Sequence, residues 1–131
     1  MDGIRSVLKL EHLVFDKLNF HRIGFKNENE VKFSFGFRFD IQSETQFTTR
    51  IRVQGVKEAE YDFTVEVSGY FIMENNPVGI DILSKQNATA IIFPYVRSQI
   101  ALLTAQPEIE PIVLPPFNIA AMVTQAEKER Q

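Results

Sequence analysis

The chain contains no cysteine and no tryptophan among its 131 residues. Without cysteine there is no disulfide and no thiolate metal site, and the chain suits a reducing compartment. Histidine is nearly as scarce: His12 and His21 stand alone, with no companion at metal-ligand spacing. No apolar run approaches the ~20 residues of a membrane span, and the opening MDGIRSVLKLEH lacks the continuous apolar stretch of a signal peptide. A cytoplasmic protein without membrane insertion is therefore expected. The net charge is -3, so no broad basic surface is available to nucleic acid.

Catalytic constellations are absent as well. Glu58 with Glu60 falls in a turn, and Glu108 with Glu110 lies beside prolines, where solvation is the simpler account than raised acidity. The glycines are isolated, so no phosphate-cradling loop is visible. No enzyme, no cofactor and no metal are expected.

What is present is apolar and aromatic. Twelve phenylalanines accompany three tyrosines, and 44% of the chain is hydrophobic, enough for one domain over 1–131 with an aromatic-rich core. Leu8 to Phe20 reads as a strand with a mid-course irregularity, because Leu8, Leu10, Val14, Leu18 and Phe20 alternate while Leu13 and Phe15 break the pattern. His21 to Glu30 is a connection whose only aromatic is Phe25. From Val31 to Ile41 the alternation is strict, with four phenylalanines on one face. Two further alternating runs follow, Phe47 to Val53 and Tyr61 to Met73, the latter expected to bend at Gly69 and to be covered on both faces beyond it. Short turns imply an antiparallel meander.

Beyond Asn75, Asn76, Pro77 and Gly79 the pattern turns helical. Ile92, Val96, Ile100 and Leu103 form one stripe of a main helix, capped by Asn87 or Thr89, with Pro94 either in its first turn or at a kink just after it. Phe93, Tyr95, Ala101 and Leu102 widen the apolar surface to a second side. A helix on a single sheet needs one side only, so Ile92, Val96, Ile100 and Leu103 are candidates for an oligomer interface, with cover by the last helix and connector as the alternative. Four of the six prolines then fall between Pro107 and Pro116 in an apolar connector that neither a helix nor a central strand accommodates. Asn118 can cap a short last helix. Ile112, Val113, Leu114 and Phe117 can roof a groove walled by Ile119 and Met122, or close over their own core.

FPYVR at Phe93 to Arg97, followed by a connector with Pro111, Leu114, Pro116 and Asn118 and a final helix, resembles the SecB chaperone family. LKLEHLVFDKLNF and FTVEVSGYFIM resemble its first and fourth strands. The resemblance implies an α+β fold, a four-stranded antiparallel sheet with a main helix packed on it. It implies a dimer of dimers, and an ATP-independent holdase that binds unfolded polypeptide clients for export or for antitoxin protection. The client groove would comprise Phe25, Ile112, Val113, Leu114, Phe117, Ile119 and Met122. The family docks the SecA motor on an acidic face of strands one and four; Glu66 fits, while Asp16 is one residue out of step and would face the other way. The competing reading is a protein of the same fold whose groove is closed or narrowed to a small apolar ligand.

Overall fold

A computed structural model of the chain describes residues 7–75 and 79–129. The expected turn residues Asn76 and Pro77 and the last two residues of the tail lie outside the described residues. Four antiparallel strands, β1 (Val7–Arg22), β2 (Val31–Ile41), β3 (Gln46–Lys57) and β4 (Tyr61–Glu74), form one sheet in the order β1-β4-β3-β2. Helix α1 (Ile82–Thr104) crosses its inner face, and α2 (Ile119–Glu129) packs on α1 beside β2. The α+β fold is as the sequence implies.

β1 keeps its apolar residues together through two irregularities, not one. Leu8, Leu10, Leu13, Phe15, Leu18 and Phe20 all oppose the odd-numbered residues of β4, from Met73 down to Phe63. The register slips by one between Leu10 and His12 and again between Phe15 and Lys17. Glu11 and Asp16 are therefore extra residues, and each restores the inward face after it. Val14, expected on the apolar face, pairs with Ser68 and is exposed.

On β3 and β4 the odd-numbered residues Phe47, Ile51, Val53, Phe63, Val65, Val67 and Phe71 build the core against Ile92, Phe93, Val96 and Ile100 of α1. Burial of this order, at ~25 cal/mol per Å² of apolar surface, is what holds helix to sheet. A Cβ on Gly69 would lie 2.8 Å from an Ile92 methyl, so glycine there permits the close approach of α1. β4 does not become covered on both faces beyond it: Phe71 and Met73 are buried, while Tyr70 and Ile72 on the outer face are only half-buried.

Helix α1 starts well before the expected cap. Asp81 accepts from the Ser84 backbone N–H at 2.9 Å and from its hydroxyl at 2.8 Å, and these bonds hold its carboxyl below the usual range. Pro94 consequently lies in the helix interior. It gives up the bond to the Ala90 carbonyl, but both residues are exposed and water can serve that carbonyl. Ile92, Val96 and Ile100 are fully buried within the single chain. They have no surface left for a partner, which overturns their assignment to an interface; Leu103 also packs on the core, half-buried. The outward stripe of α1 is instead Ile91, Tyr95 and Leu102, all exposed.

Candidate functional site

The connector is fixed by its two ends and one buried hydroxyl. Thr104, fully buried at the end of α1, donates to the Ile100 carbonyl at 2.8 Å and accepts from the Ile112 backbone N–H at 2.8 Å. That bond sets which connector side chains turn inward. Ile109 and Leu114 are buried, whereas Val113 stands 79% exposed. At the far end Asn118 caps α2 as expected, accepting from the Ala121 N–H at 3.0 Å. Val123 is fully buried, and Gln86 of α1 donates to the Ala120 carbonyl and the Thr124 hydroxyl.

The seven expected groove residues do not line one trough. Leu114 is core, at 2% exposure, and cannot meet a client without moving. Phe117 is held in a three-ring cluster, 5.3 Å from Phe35 and 6.0 Å from Phe93 between centroids. Ile119 also packs against the core. Ile112 borders a hollow of about 200 Å³ with Lys57, Glu60, Tyr61 and Pro111. Met122 borders a more open cleft of about 440 Å³ between β2 and α2, with Phe35 and Phe37 on its other wall. Phe25, 83% exposed, and Val113 are the two most accessible apolar side chains near the connector. Sequence reasoning missed Phe35 and Phe37 as walls. The edge position of β2 is what leaves their face only partly covered, and strand order is not written in a single strand's pattern.

The crossover from 23 to 30 is tied to the turn between β3 and β4. Glu60, 1% exposed, receives the Lys57 ammonium at 2.8 Å and the Asn27 backbone N–H at 3.0 Å. Burial would raise its pKa, but Lys57, the Asn27 N–H and the nearby charge of Arg22 outweigh that and hold the carboxyl below its ordinary value.

The outer face of the sheet is polar and matched in charge. The bulge at Asp16 brings its carboxylate onto this face with Glu66, correcting the expected opposition, and Ser68 donates to Asp16. Arg50 donates to the Ser68 hydroxyl at 3.0 Å and to Asp40 at 3.0 Å, so one hydrogen-bonded chain runs from β1 across β4 and β3 to β2. Arg52 meets Glu66 at 3.5 Å, and Lys17 lies opposite Glu66 in the register. The acidic residues expected to receive a motor are thus offset by Arg38, Arg50 and Arg52, which border the same hollow.

Residues 11–130 match the family described as preprotein translocase subunit SecB. The chain belongs to the SecB family. Among curated SecB relatives, a protein-export protein SecB of Acidithiobacillus ferrooxidans is 27% identical over 68% of this chain and 60% of its own length. An uncharacterised protein of Methanocaldococcus jannaschii is 30% identical over 72% of this chain and 64% of its own length. The chain therefore spans less than two thirds of the length of these curated relatives. The SecB-like fold recurs in a SecB-like chaperone of Mycobacterium tuberculosis, solved in complex with a peptide from an antitoxin. That structure has a TM-score of 0.66 at 13% identity and covers 85% of this chain and 91% of the other. A protein of unknown function from Streptococcus agalactiae aligns with a TM-score of 0.52 at 10% identity, over 86% of this chain and 99% of its own. Among the described residues of this SecB-family chain, no helix is long and apolar enough to cross a membrane.

Proposed function

We propose that the protein is an ATP-independent holdase, a single SecB-like domain that binds extended apolar segments of unfolded or non-native polypeptides. The observation that carries this reading is the display of apolar side chains around a proline-stiffened connector: Val113 and Phe25 stand out into solvent, and Met122, Phe35 and Phe37 border an open cleft. Apolar contact is non-directional, and Phe and Met adapt to varied partners, so such a surface suits clients of no fixed sequence. Membership of the SecB family supports the same reading. Leu114, Phe117 and Ile119 act as the support that holds Val113 and Met122 in place.

The receiving partner is the finer question. The antitoxin peptide held by the Mycobacterium tuberculosis neighbour supports antitoxins among the clients. Protein export with hand-over to SecA is the other route, and the charge-matched face around Asp16 and Glu66 gives it less support. Assembly as a dimer of dimers would use the outward stripe Ile91, Tyr95 and Leu102, where an apolar surface would otherwise face water.

The test is light scattering of a chemically unfolded protein diluted into buffer with increasing amounts of this one, without ATP. Suppression that saturates is expected. Val113→Ser should weaken it while leaving the unfolding temperature within about 2 °C. No suppression across several clients would favour the reading in which the same fold carries only a closed core or a small apolar ligand.

A further inference from the structure

Phe25 rides on a crossover with no regular structure, and its tethers converge on one turn. The backbone N–H groups of Ile23 and Gly24 both donate to the Glu60 carbonyl, at 2.8 and 3.1 Å. Those of the Asn27 and Asn29 side chains both donate to the Glu58 carbonyl, at 3.0 and 2.9 Å. The Asn27 backbone N–H reaches the Glu60 carboxylate itself. Gly24 sits so close that a Cβ there would lie 2.3 Å from the Ala59 carbonyl oxygen, and Ala59 holds a left-handed φ of 65° to present it. On the other side Arg22 donates to the Gly24 carbonyl at 3.1 Å and to the Pro107 carbonyl at 3.4 Å, linking the crossover to the start of the connector.

A carboxylate buried with a lysine is expensive to keep, and ion pairs of this kind are weak contributors to stability. Its cost is intelligible if the bond to Asn27 matters. We propose that Glu60 is a positioning residue of the client site, holding the crossover through Asn27 so that Phe25 stands at a fixed place beside the connector. The turn from Glu58 to Glu60 thereby becomes part of the binding apparatus. This rests on the chaperone reading.

The test is a double-mutant cycle on the full chain with a fluorescent apolar peptide as client, comparing Glu60→Met, which removes the acceptor of the Asn27 N–H, with Phe25→Ser and the double variant. Each single change should weaken binding on the order of threefold to tenfold, and the double should bind no worse than Phe25→Ser alone. Trypsin should cleave after Lys26 severalfold faster in Glu60→Met, since losing the Asn27 tether frees the backbone beside this exposed lysine to enter the protease. If Glu60→Met fails to fold, Lys57→Met with Glu60→Met removes the buried ion pair and the acceptor of the Asn27 N–H together, with the same expectations. Losses that add in the double variant, or unchanged cleavage after Lys26, overturn the inference alone. Absence of peptide binding by the unaltered protein overturns the chaperone reading and the inference with it.

Discussion

The two edges of the sheet solve one problem in opposite ways. β2 runs in unbroken register with β3 from Val31 to Ile41, and its inward phenylalanines follow from simple alternation. β1 carries six inward apolar residues at spacings of two and three in turn, and two bulges absorb the odd steps. Bulges twist an edge and interrupt the row of backbone groups it offers, whereas an unbroken strand offers that row whole. A regular edge is thus intolerant of any change in length, and a bulged one has residues to spare.

Deletions separate the two most sharply. Removing Ser34 from β2 would turn Val31 and Phe33 to the outer face and Lys32 inward while Phe35 stays held by its ring partners. The expected cost is on the order of 3 to 5 kcal/mol, enough to abolish a cooperative thermal transition in a marginal domain. Removing Asp16 from β1 leaves Phe15, Leu18 and Phe20 on the inner face with Lys17 and Asn19 between them, in simple alternation. It should cost about 1 kcal/mol, for the lost bond from Ser68. Equal damage from both deletions would remove the distinction.

Truncations probe the same contrast at single side chains. Phe35→Ala empties the centre of the cluster with Phe93 and Phe117 and should cost about 3 kcal/mol in chemical denaturation. Leu18→Ala on β1, where the side chain is exposed, should cost under about 1 kcal/mol.

The difference also explains what could be read from sequence. β2 was legible residue by residue because strict alternation has one interpretation. β1 was legible as a strand but not in its faces: Leu13 and Phe15 look like defects until the spacing of three from Leu10 to Leu13, and from Phe15 to Leu18, is read as two bulges. In α1 the stripe was found and its direction was not. Ile92, Val96 and Ile100 serve the sheet, and the start of the helix depended on Asp81 and Ser84, a short-range cap that Pro94 masked. The connector's apolar residues were named correctly, yet Leu114 and Val113 part company through the bond from Ile112 to Thr104, which no local pattern announces.

A polar chain joins the two edges, and acid tests it. Burial pushes the Asp40 carboxyl up, but hydrogen bonds and charge from Arg50 and Arg38 outweigh this and hold it below the usual value. A lowered folded value means the unfolded chain binds protons first. Its contribution is therefore complete above the unfolded value near 4 and is lost as pH falls through the folded one. Asp40→Asn should cost about 1 kcal/mol at pH 7, given partial exposure, and in urea titrations the gap from the unaltered protein should close as pH falls below the ordinary carboxylate value. A gap that stays constant with pH would mean that the charge on Asp40 contributes nothing to joining β2 to β3.

Gly36, at the middle of β2, gives the smallest effect and bears on what covers the outer face. It lies on the exposed side opposite Arg52, and a Cβ there would find its nearest neighbour, the Arg52 Cβ, at 3.9 Å, an ordinary contact. Glycine in a strand costs about 0.5 to 1 kcal/mol relative to alanine through the freedom it surrenders on folding. Gly36→Ala should therefore raise stability by about 0.5 kcal/mol and the unfolding temperature by about 2 °C. The free chain offers no steric reason for glycine at this position. A loss of stability on substitution would then have to come from outside the chain, with the outer face of β2 pressed against another copy or another protein, and the regular edge would prove to be a covered one.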